Sequence, residues 1–417
     1  MVELREQAFA DLYEMNSGIS STPAQAGHGA PFLSFSTVFN NFFLPDVLPD
    51  LMETSDAEQK TYSIKEGDVF LTRTSETVDE LGMSSVALKD YPRATFSGFL
   101  KRLRPKAQGQ TDPRFMAFYL RSPLFRKTMT NNAVMVLRAS LNEQIFSYLK
   151  LRLPDFDTQT RIGKFLHLLS AKIDLNNRIN AELEALAKTV YDYWFVQFDF
   201  PDANGRPYRS SGGEMVWNDA LKREIPEGWE HVPLGSVVDE IKEGVAPSAF
   251  DSTTPYVGLE HIARKTIALS DCSTANQATS NKTAFRRGDI LFGKIRPYFH
   301  KVCFATIGGI ASTDAIVLRP RKPEWSGLAL QTVFSDRFVG LATASSTGSK
   351  MPRADWKVLK RYEIAIPPVS AEVLESYQAL FAMVIEKIGF NVEQNRELTR
   401  LRDWLLPLLM NGQVRVT

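Results

Sequence analysis

One stretch of the chain, Ile173-Asp-Leu-Asn-Asn-Arg-Ile-Asn-Ala-Glu-Leu183, recurs in related form as Ile388-Gly-Phe-Asn-Val-Glu-Gln-Asn-Arg-Glu-Leu398. The copies lie 215 residues apart, about half of the 417-residue chain, and the same interval relates the apolar residues that follow them. A constant offset of this size is typical of an internal duplication. Because each copy carries apolar residues at helical spacing, the sequence predicts two long helices, over about residues 158–195 and 370–411.

The apolar residues of both helices fall mainly at the a and d sites of a heptad. A helix of about 38 residues is roughly 57 Å long, too long to bury its stripe in one small domain. We therefore expect the two helices to pair as an antiparallel coiled coil, since the chain must return on itself between them. The residues assigned to the helix-pair core or to partner docking are Asn176, Leu183, Leu186, Val190, Asn391, Leu398, Leu401 and Leu405.

Polar residues interrupt this stripe at equivalent places. Asn176 and Asn391 occupy a sites, and Lys172 and Lys387 occupy d sites. Polar residues at core sites lower stability but fix the register of a coiled coil. Two interpretations stay open: the residues are register pins, or a local stutter turns them to solvent. A polar waist midway along the helices is also a natural docking place for a second protein.

The segments that precede the helices are duplicated as well. Glu66-Gly-Asp-Val-Phe-Leu71 corresponds to Arg287-Gly-Asp-Ile-Leu-Phe292, and Ser97–Pro105 corresponds to Ser312–Pro320. Short β-rich runs predict strands near residues 31–38, 67–73 and 96–103, and a helix-like stretch precedes Gly244. The predicted fold is α+β, with two pseudo-repeated globular α/β domains separated by the helix pair. Its predicted bounds are 1–154 for the first domain, 155–198 for the central helix, 199–367 for a linker and the second domain, and 368–417 for the C-terminal helix.

The composition is that of a globular protein, with 44% hydrophobic and 23% charged residues. No apolar run approaches the roughly 18 residues that span a bilayer, and the first 16 residues lack a signal-peptide core, so a cytoplasmic location is expected. Net charge is +1, but it is unevenly distributed. Residues 39–80 hold ten acidic and three basic residues, whereas residues 101–152 hold eleven basic and two acidic ones. Such clusters are either solvated surface or phosphate contacts.

Catalytic and metal motifs are weak. Neither a dinucleotide-binding glycine pattern nor a phosphate-binding loop is present. Glu240-Ile-Lys242 after Asp239 could be half of a nuclease site, although this pattern is common by chance. The spacing of His261, Cys272, His300 and Cys303 fits no zinc knuckle, so buried cysteines and hydrogen-bonded histidines are expected instead. The chain is predicted to bind no metal and to have no catalytic residue.

Binding chemistry is better represented. Gly293–Lys301 follows a predicted strand and combines cations with a tyrosine, a mixture suited to phosphates and base edges. Ser345–Arg353 is a small polar loop with two cations, and its counterpart in the first half is Thr130–Ser140. The alternative is ordinary surface loops. The candidate DNA-binding residues are Arg73, Thr74, Asn131, Asn132, Arg138, Ser140, Lys294, Arg296, Tyr298, Ser346, Thr347, Gly348, Ser349, Lys350 and Arg353.

In this order the motifs resemble those of the specificity (S) subunits of type I restriction-modification systems, over nearly the whole chain. The resemblance rests on the duplication, on Ile225-Pro-Glu-Gly-Trp-Glu230, on Gly288-Asp-Ile-Leu-Phe-Gly-Lys-Ile-Arg-Pro297, on Trp194-Phe-Val-Gln-Phe-Asp199 and on Ile364-Ala-Ile-Pro-Pro368. It implies two target-recognition domains that each read one half of an asymmetric, two-part site in double-stranded DNA, spaced by the helices.

The resemblance also implies partners. Two modification (methyltransferase) subunits are expected to dock on the helices, and restriction/translocase subunits to join the full complex. S-adenosylmethionine, ATP and Mg²⁺ are expected on those subunits, with no cofactor on this chain, which is then a non-catalytic recognition subunit. The alternatives are a self-sufficient DNA methyltransferase or nuclease with an unrecognised site, which the missing cofactor motifs oppose, and a pure coiled-coil assembly protein, which the paired basic loops oppose.

Overall fold

The computed structural model describes residues 2–73, 81–133, 143–246, 249–278, 280–368 and 371–416. The chain forms two compact units. Unit 1 comprises residues 1–173 and 397–417, and unit 2 comprises residues 174–396. Each unit therefore contains part of both long helices. Within the described ranges, no helix is long and apolar enough to cross a membrane.

The strands of unit 1 are β1 Arg5–Ala8, β2 Tyr13–Ser17, β3 Ala26–Leu33, β4 Asp50–Met52, β5 Val69–Thr72, β6 Ser84–Val86, β7 Thr95–Phe96, β8 Leu100–Pro105 and β9 Lys150–Leu153. The unit is built on a four-stranded antiparallel sheet with the order β2-β8-β5-β6. The other strands form a three-stranded sheet, β4-β3-β7, and the antiparallel pair β1-β9. The helices are α1 Phe9–Leu12, α2 Phe35–Asn40, α3 Asp56–Thr61, α4 Pro113–Tyr119, α5 Pro123–Ala133 and α6 Glu143–Tyr148. The long helix α7, Phe156–Tyr191, begins in unit 1, which contains its residues up to 173.

Unit 2 repeats this plan. Its strands are β10 Met215–Asn218, β11 Arg223–Pro226, β12 Glu230–Pro233, β13 Val238–Ile241, β14 Gly244–Val245, β15 Pro255–Val257, β16 Ser273–Thr274, β17 Lys282–Phe285, β18 Ile290–Gly293, β19 Val302–Phe304, β20 Gly309–Ala311, β21 Ala315–Pro320 and β22 Glu363–Ile366. The four-stranded sheet has the order β13-β21-β18-β19. The other strands form a five-stranded sheet, β14-β17-β20-β15-β16, and the pairs β10-β11 and β12-β22. The remaining helices are α8 Ser326–Phe334, α9 Asp336–Ala344, α10 Trp356–Leu359 and α11 Glu372–Met410.

The duplication extends to a buried ion pair in each four-stranded sheet. Asp68 in unit 1 and Asp289 in unit 2 both follow a glycine at positive φ in the turn that starts β5 or β18. The Arg104 guanidinium donates two hydrogen bonds, of 2.6 and 2.8 Å, to the Asp68 carboxylate. Arg319 likewise donates two hydrogen bonds of 2.7 Å to the Asp289 carboxylate. Such bidentate pairs are stronger than neutral hydrogen bonds and fix the geometry of both partners. Each unit thus contains the same turn, the same strand and the same Arg–Asp ion pair.

The antiparallel pairing of the long helices is confirmed within unit 2. Asn176 contacts Asn395, Asn180 contacts Asn391, and the carbonyl of Ala187 accepts a hydrogen bond from the Tyr377 hydroxyl. Residue numbers rise on α7 as they fall on α11, which defines antiparallel packing. In unit 1 the other ends of both helices join one apolar core, with members Ile162, Leu166, Leu406, Leu409 and Met410.

The polar waist is divided between core and solvent. Asn176 and Asn391 are buried, at 0% and 1% exposure, whereas Lys172 and Lys387 are exposed. The buried asparagines therefore fit the interpretation that they fix the register of the helix pair. The lysines fit the other interpretation, in which a local stutter turns them to solvent. A straight α-helix of 3.6 residues per turn drifts relative to a 3.5-residue repeat, so a strict heptad assignment fails along a long helix.

Because of the same drift, two of the leucines assigned to heptad core sites do not lie in the core. Leu183 and Val190 pack against the unit 2 core, and Leu405 packs against the unit 1 core. Leu186 and Leu401, by contrast, are 46% and 40% exposed, contrary to the heptad prediction. Leu398 is half-buried.

Three local predictions also need correction. The strand expected over 31–38 ends at Leu33, because Ser34 caps α2 by accepting a hydrogen bond from the Thr37 amide. The helix-like stretch before Gly244 is a short 3₁₀ turn, Leu234–Ser236, followed by strand β13. Helix α7 begins at Phe156, two residues before the predicted start near residue 158, because the Asp155 carboxylate caps it by accepting a 2.8 Å hydrogen bond from the Thr158 amide.

Candidate nucleic-acid interface

The two loops that the sequence selected in the second half contact each other in unit 2. Strand β18 leads into the first loop, Gly293–Lys301, and the second, Ser345–Arg353, connects α9 to α10. The Arg296 amide donates to the carbonyl of Pro352 at 2.7 Å, and the Ala354 amide donates to the carbonyl of Lys294 at 2.9 Å. These backbone bonds hold the loops together, so their side chains belong to one surface.

Arg296 carries a backbone strain that fits a constrained role. Its φ is +49°, in the left-handed region that non-glycine residues rarely adopt. One guanidinium nitrogen lies 3.4 Å from the Lys350 carbonyl, while Nε is buried and has no hydrogen-bond partner in the described part of the chain. Tyr298, two residues on, is 52% exposed. The loop therefore presents an aromatic ring next to a cation that is only partly satisfied by the protein.

The second loop is closed by its own backbone. Thr347 and Arg353 exchange two hydrogen bonds of 3.1 and 2.9 Å, and Gly348 supplies the turn with φ at +102°. Ser346 is half-buried and its hydroxyl donates to the Thr343 carbonyl. Thr347, Gly348, Ser349, Lys350 and Arg353 are exposed, so they can approach a ligand.

A cleft of about 530 Å³ adjoins both loops and gathers further charge that the sequence did not assign. Lys294 and Arg353 line it together with Lys242 and Lys357, both of which are exposed. Lys242 pairs with Glu240 at 2.9 Å, and this ion pair raises the pKa of Lys242. The Glu240-Ile-Lys242 pattern thus contributes to a cationic cleft. The sequence could not show this cleft, because the segments that line it, near β13 and α10, are far apart in the chain and meet only in the folded structure.

Few of the first-half candidates can be placed as fully. Arg73 is exposed at the end of β5, and Asn131 is exposed on helix α5. Asn132 also lies on α5, so the predicted loop begins as helix. Thr74, Arg138 and Ser140 lie outside the described residues.

Several basic residues of the cluster 101–152 make hydrogen bonds inside unit 1. Lys101 donates to the Ser17 hydroxyl, and Arg102 donates to the Ser63 carbonyl. Arg121 donates to four backbone carbonyls, and burial lowers its pKa to about 10. Together with the Arg104–Asp68 ion pair, these contacts show that four of the eleven basic residues in this cluster bind groups within unit 1. Neither of the two alternatives stated for this cluster, solvated surface or phosphate contact, describes these four residues.

The histidines and cysteines have structural surroundings in unit 2. His300 Nε2 lies 2.7 Å from the Phe334 carbonyl, and His261 Nδ1 accepts from the Gly258 amide. Cys303 is buried, and burial raises the pKa of its thiol to about 12. Cys272 Sγ lies 3.7 Å from an Arg396 nitrogen. Across the residues described, no cluster of three or more His, Cys, Asp or Glu is arranged to hold a metal ion.

The duplicated sheet-and-helix arrangement places the chain in a known structural class. Its fold is similar to the crystal structure of a type I restriction-modification S subunit from M. genitalium, with a TM-score of 0.58 at 13% identity, covering 98% of this chain and 96% of that one. The family model described as "Type I restriction modification DNA specificity domain" matches twice, over residues 12–185 and 226–399. The chain belongs to this family, and each copy includes one globular segment and most of one long helix.

Individual relatives are distant. The chain is 24% identical over 277 residues to the type I restriction enzyme MjaIX specificity subunit of Methanocaldococcus jannaschii, covering 63% of this chain and 60% of that protein. It is 24% identical over 332 residues to the HindI specificity subunit of Haemophilus influenzae, covering 64% and 70%. The chain thus matches about three fifths of the length of the first of these relatives.

Proposed function

We propose that this chain is the DNA-specificity subunit of a type I restriction-modification complex. The observation that carries the proposal is the twofold match to the specificity-domain family, reproduced by a sheet with the same strand order and the same buried ion pair in each unit. Two copies of one recognition domain imply that two separate DNA half-sites are read. The copies differ in sequence, so the half-sites differ and the whole site is asymmetric.

The second recognition domain contacts DNA through the cleft and the two joined loops. Lys294, Lys350 and Arg353 supply phosphate contacts, while Arg296 and Tyr298 face the base edges. Cations placed around an arginine with a left-handed backbone suit this division, because phosphate contacts need charge alone and base contacts need fixed geometry. The first domain uses Arg73 at the equivalent strand end.

The modification subunits dock on the apolar helix surface that each unit leaves uncovered, not on the asparagines, which are buried. In unit 2 this surface includes Leu175, Met383 and Phe390, with exposures of 42–63%. In unit 1 it includes Leu168 and Trp404, at 72% and 63%. Exposed apolar residues at helical spacing suit an amphipathic partner helix. S-adenosylmethionine, ATP and Mg²⁺ are bound by the partner subunits, this chain is not a catalyst, and the complex acts in the cytoplasm.

The test is methylome sequencing of a methylation-free host that expresses this chain with its modification subunits. Modified adenines are expected in an asymmetric two-part motif with a fixed gap of unspecified bases. A continuous motif contradicts the two-domain arrangement. The purified chain alone should show no methyl transfer in the presence of S-adenosylmethionine, and turnover by the isolated chain would favour the self-sufficient enzyme instead.

A further inference from the structure

In each four-stranded sheet, two residues lie side by side where the two middle strands end or begin. In unit 1, Thr72 of β5 lies opposite Leu100 of β8, and the next residue, Arg73, donates its amide hydrogen to the Phe99 carbonyl at 2.8 Å. In unit 2, Gly293 of β18 lies opposite Ala315 of β21, and the Lys294 amide donates to the Asp314 carbonyl at 2.9 Å. Arg73 is therefore equivalent to Lys294, and Phe99 to Asp314.

The cation is kept in both pairs, whereas the residue opposite it changes from aromatic to acidic. A preserved charge suits a contact that both domains need, such as a phosphate. A changed side chain at an equivalent place suits a contact that must differ between two unlike half-sites. The two pairs thus separate shared binding from sequence discrimination at one end of the middle strands of each four-stranded sheet.

Phe99 is 65% exposed although its backbone is held on both sides. Its amide lies 3.2 Å from the Ser97 hydroxyl, its carbonyl accepts from Arg73, and the Leu100 amide donates to the Ser97 carbonyl at 2.9 Å. A large apolar ring gains stability by burial, so a rigid turn that presents it to water gives no folding advantage. Next to an exposed arginine, the ring is placed to contact a ligand.

Asp314 is half-exposed beside the cationic cleft. Its carboxylate makes no ion pair or hydrogen bond among the described residues, because the Lys294 ammonium donates instead to the Thr313 carbonyl at 2.5 Å. An unpaired carboxylate on a phosphate-binding surface is repelled by DNA. That cost is offset where the carboxylate accepts a hydrogen bond from a base amino group.

We propose that Phe99 and Asp314 determine the sequence preference at equivalent positions of the two half-sites. Phe99 makes an apolar contact with the 5-methyl group of a thymine, and Asp314 accepts a hydrogen bond from the N4 amino group of a cytosine. These are the base features that an aromatic ring and a carboxylate recognise in the major groove. The assignment rests on the proposed function and adds to it the residues and bases at one position of each half.

The test is selection of random-sequence duplexes by the full chain at low ionic strength, comparing the wild type with Phe99→Ala and Asp314→Asn. Phe99→Ala should lose a thymine preference in one half of the motif and leave the other half unchanged. Asp314→Asn should lose a cytosine preference in the other half only. Each loss should be roughly 5- to 150-fold, the usual range for one base pair. Replacing the selected thymine by deoxyuridine should weaken the wild type but not Phe99→Ala.

Val47→Ala and Asp219→Asn are matched controls, since Val47 is 81% exposed and the Asp219 side chain is 89% exposed, and neither belongs to the pairs. Both should select the wild-type motif. If Phe99→Ala and Asp314→Asn also select it, or if each alters both halves, the assignment is overturned while the proposed function stands. A wild-type chain that selects no two-part motif overturns the proposed function, and this assignment with it.

Discussion

The amide cluster between the long helices in unit 2 offers a quantitative test of how the helices are held. The Asn391 side chain donates to Asn180 Oδ1 at 2.8 Å, and both residues are at least 94% buried. Nearby, Asn176 donates to Gln394 and Asn395, at 2.8 Å each. Because water cannot replace the partner at the Asn180–Asn391 contact, this pair is the most informative one to remove.

The single substitution Asn391→Leu leaves Asn180 buried without its donor. An unsatisfied buried polar group costs about 1–3 kcal/mol, and Asn180→Leu should cost a similar amount for the same reason. Replacing both asparagines by leucine removes the polar groups together and substitutes apolar contact, so the double variant should be nearly neutral. The double-mutant cycle should therefore give a coupling energy of about 2 kcal/mol or more.

Native-state hydrogen exchange of the backbone amides of α7 and α11 within unit 2 is the suitable assay, because it reports local opening free energies. A chain of two compact units is a poor subject for a single global unfolding transition. Asn176→Leu is a useful comparison, since its partners Gln394 and Asn395 are half-exposed and water can satisfy them. A coupling energy below about 0.5 kcal/mol, with Asn391→Leu as stable as the double variant, would refute the reasoning.

Four further outcomes are expected. Lys294→Ala should weaken DNA binding uniformly and reduce the salt slope by about one, whereas a sequence-dependent loss would show that Lys294 reads a base. Phe390→Glu should abolish capture of the modification subunits while DNA selection is kept, and loss of both together would contradict a separate docking surface. Burial raises the pKa of Glu184, so the folded state binds a proton more readily than the unfolded state does. The melting temperature of the wild type should therefore rise relative to that of Glu184→Gln as pH falls from 7 toward 5, and a constant difference would contradict this. Inserting one heptad into both helices should lengthen the methylated motif's gap with unchanged half-sites, and an unchanged gap would show that domain packing sets the spacing.

The sequence alone determined the duplication, the two long helices and the strands that carry the repeated Gly-Asp turns. These features are local or periodic, and a constant offset between two copies makes them visible without a structure. The two loops that the sequence selected separately contact each other in the structure, although nothing in the chain order joins Arg296 to Pro352. Their contact with DNA stays a prediction.

Only the tertiary structure decided what surrounds each side chain. Charge counting left residues 101–152 as either solvated surface or phosphate contacts, but Arg102 and Arg121 donate hydrogen bonds to backbone carbonyls that the sequence cannot show. The heptad pattern placed Leu186 in the helix core, yet the drift of a straight helix leaves it exposed. The pairing of Arg73 with Phe99 and of Lys294 with Asp314 depends on strand register. Hydrogen bonding between distant strands sets that register, whereas the pattern within one strand sets only its period.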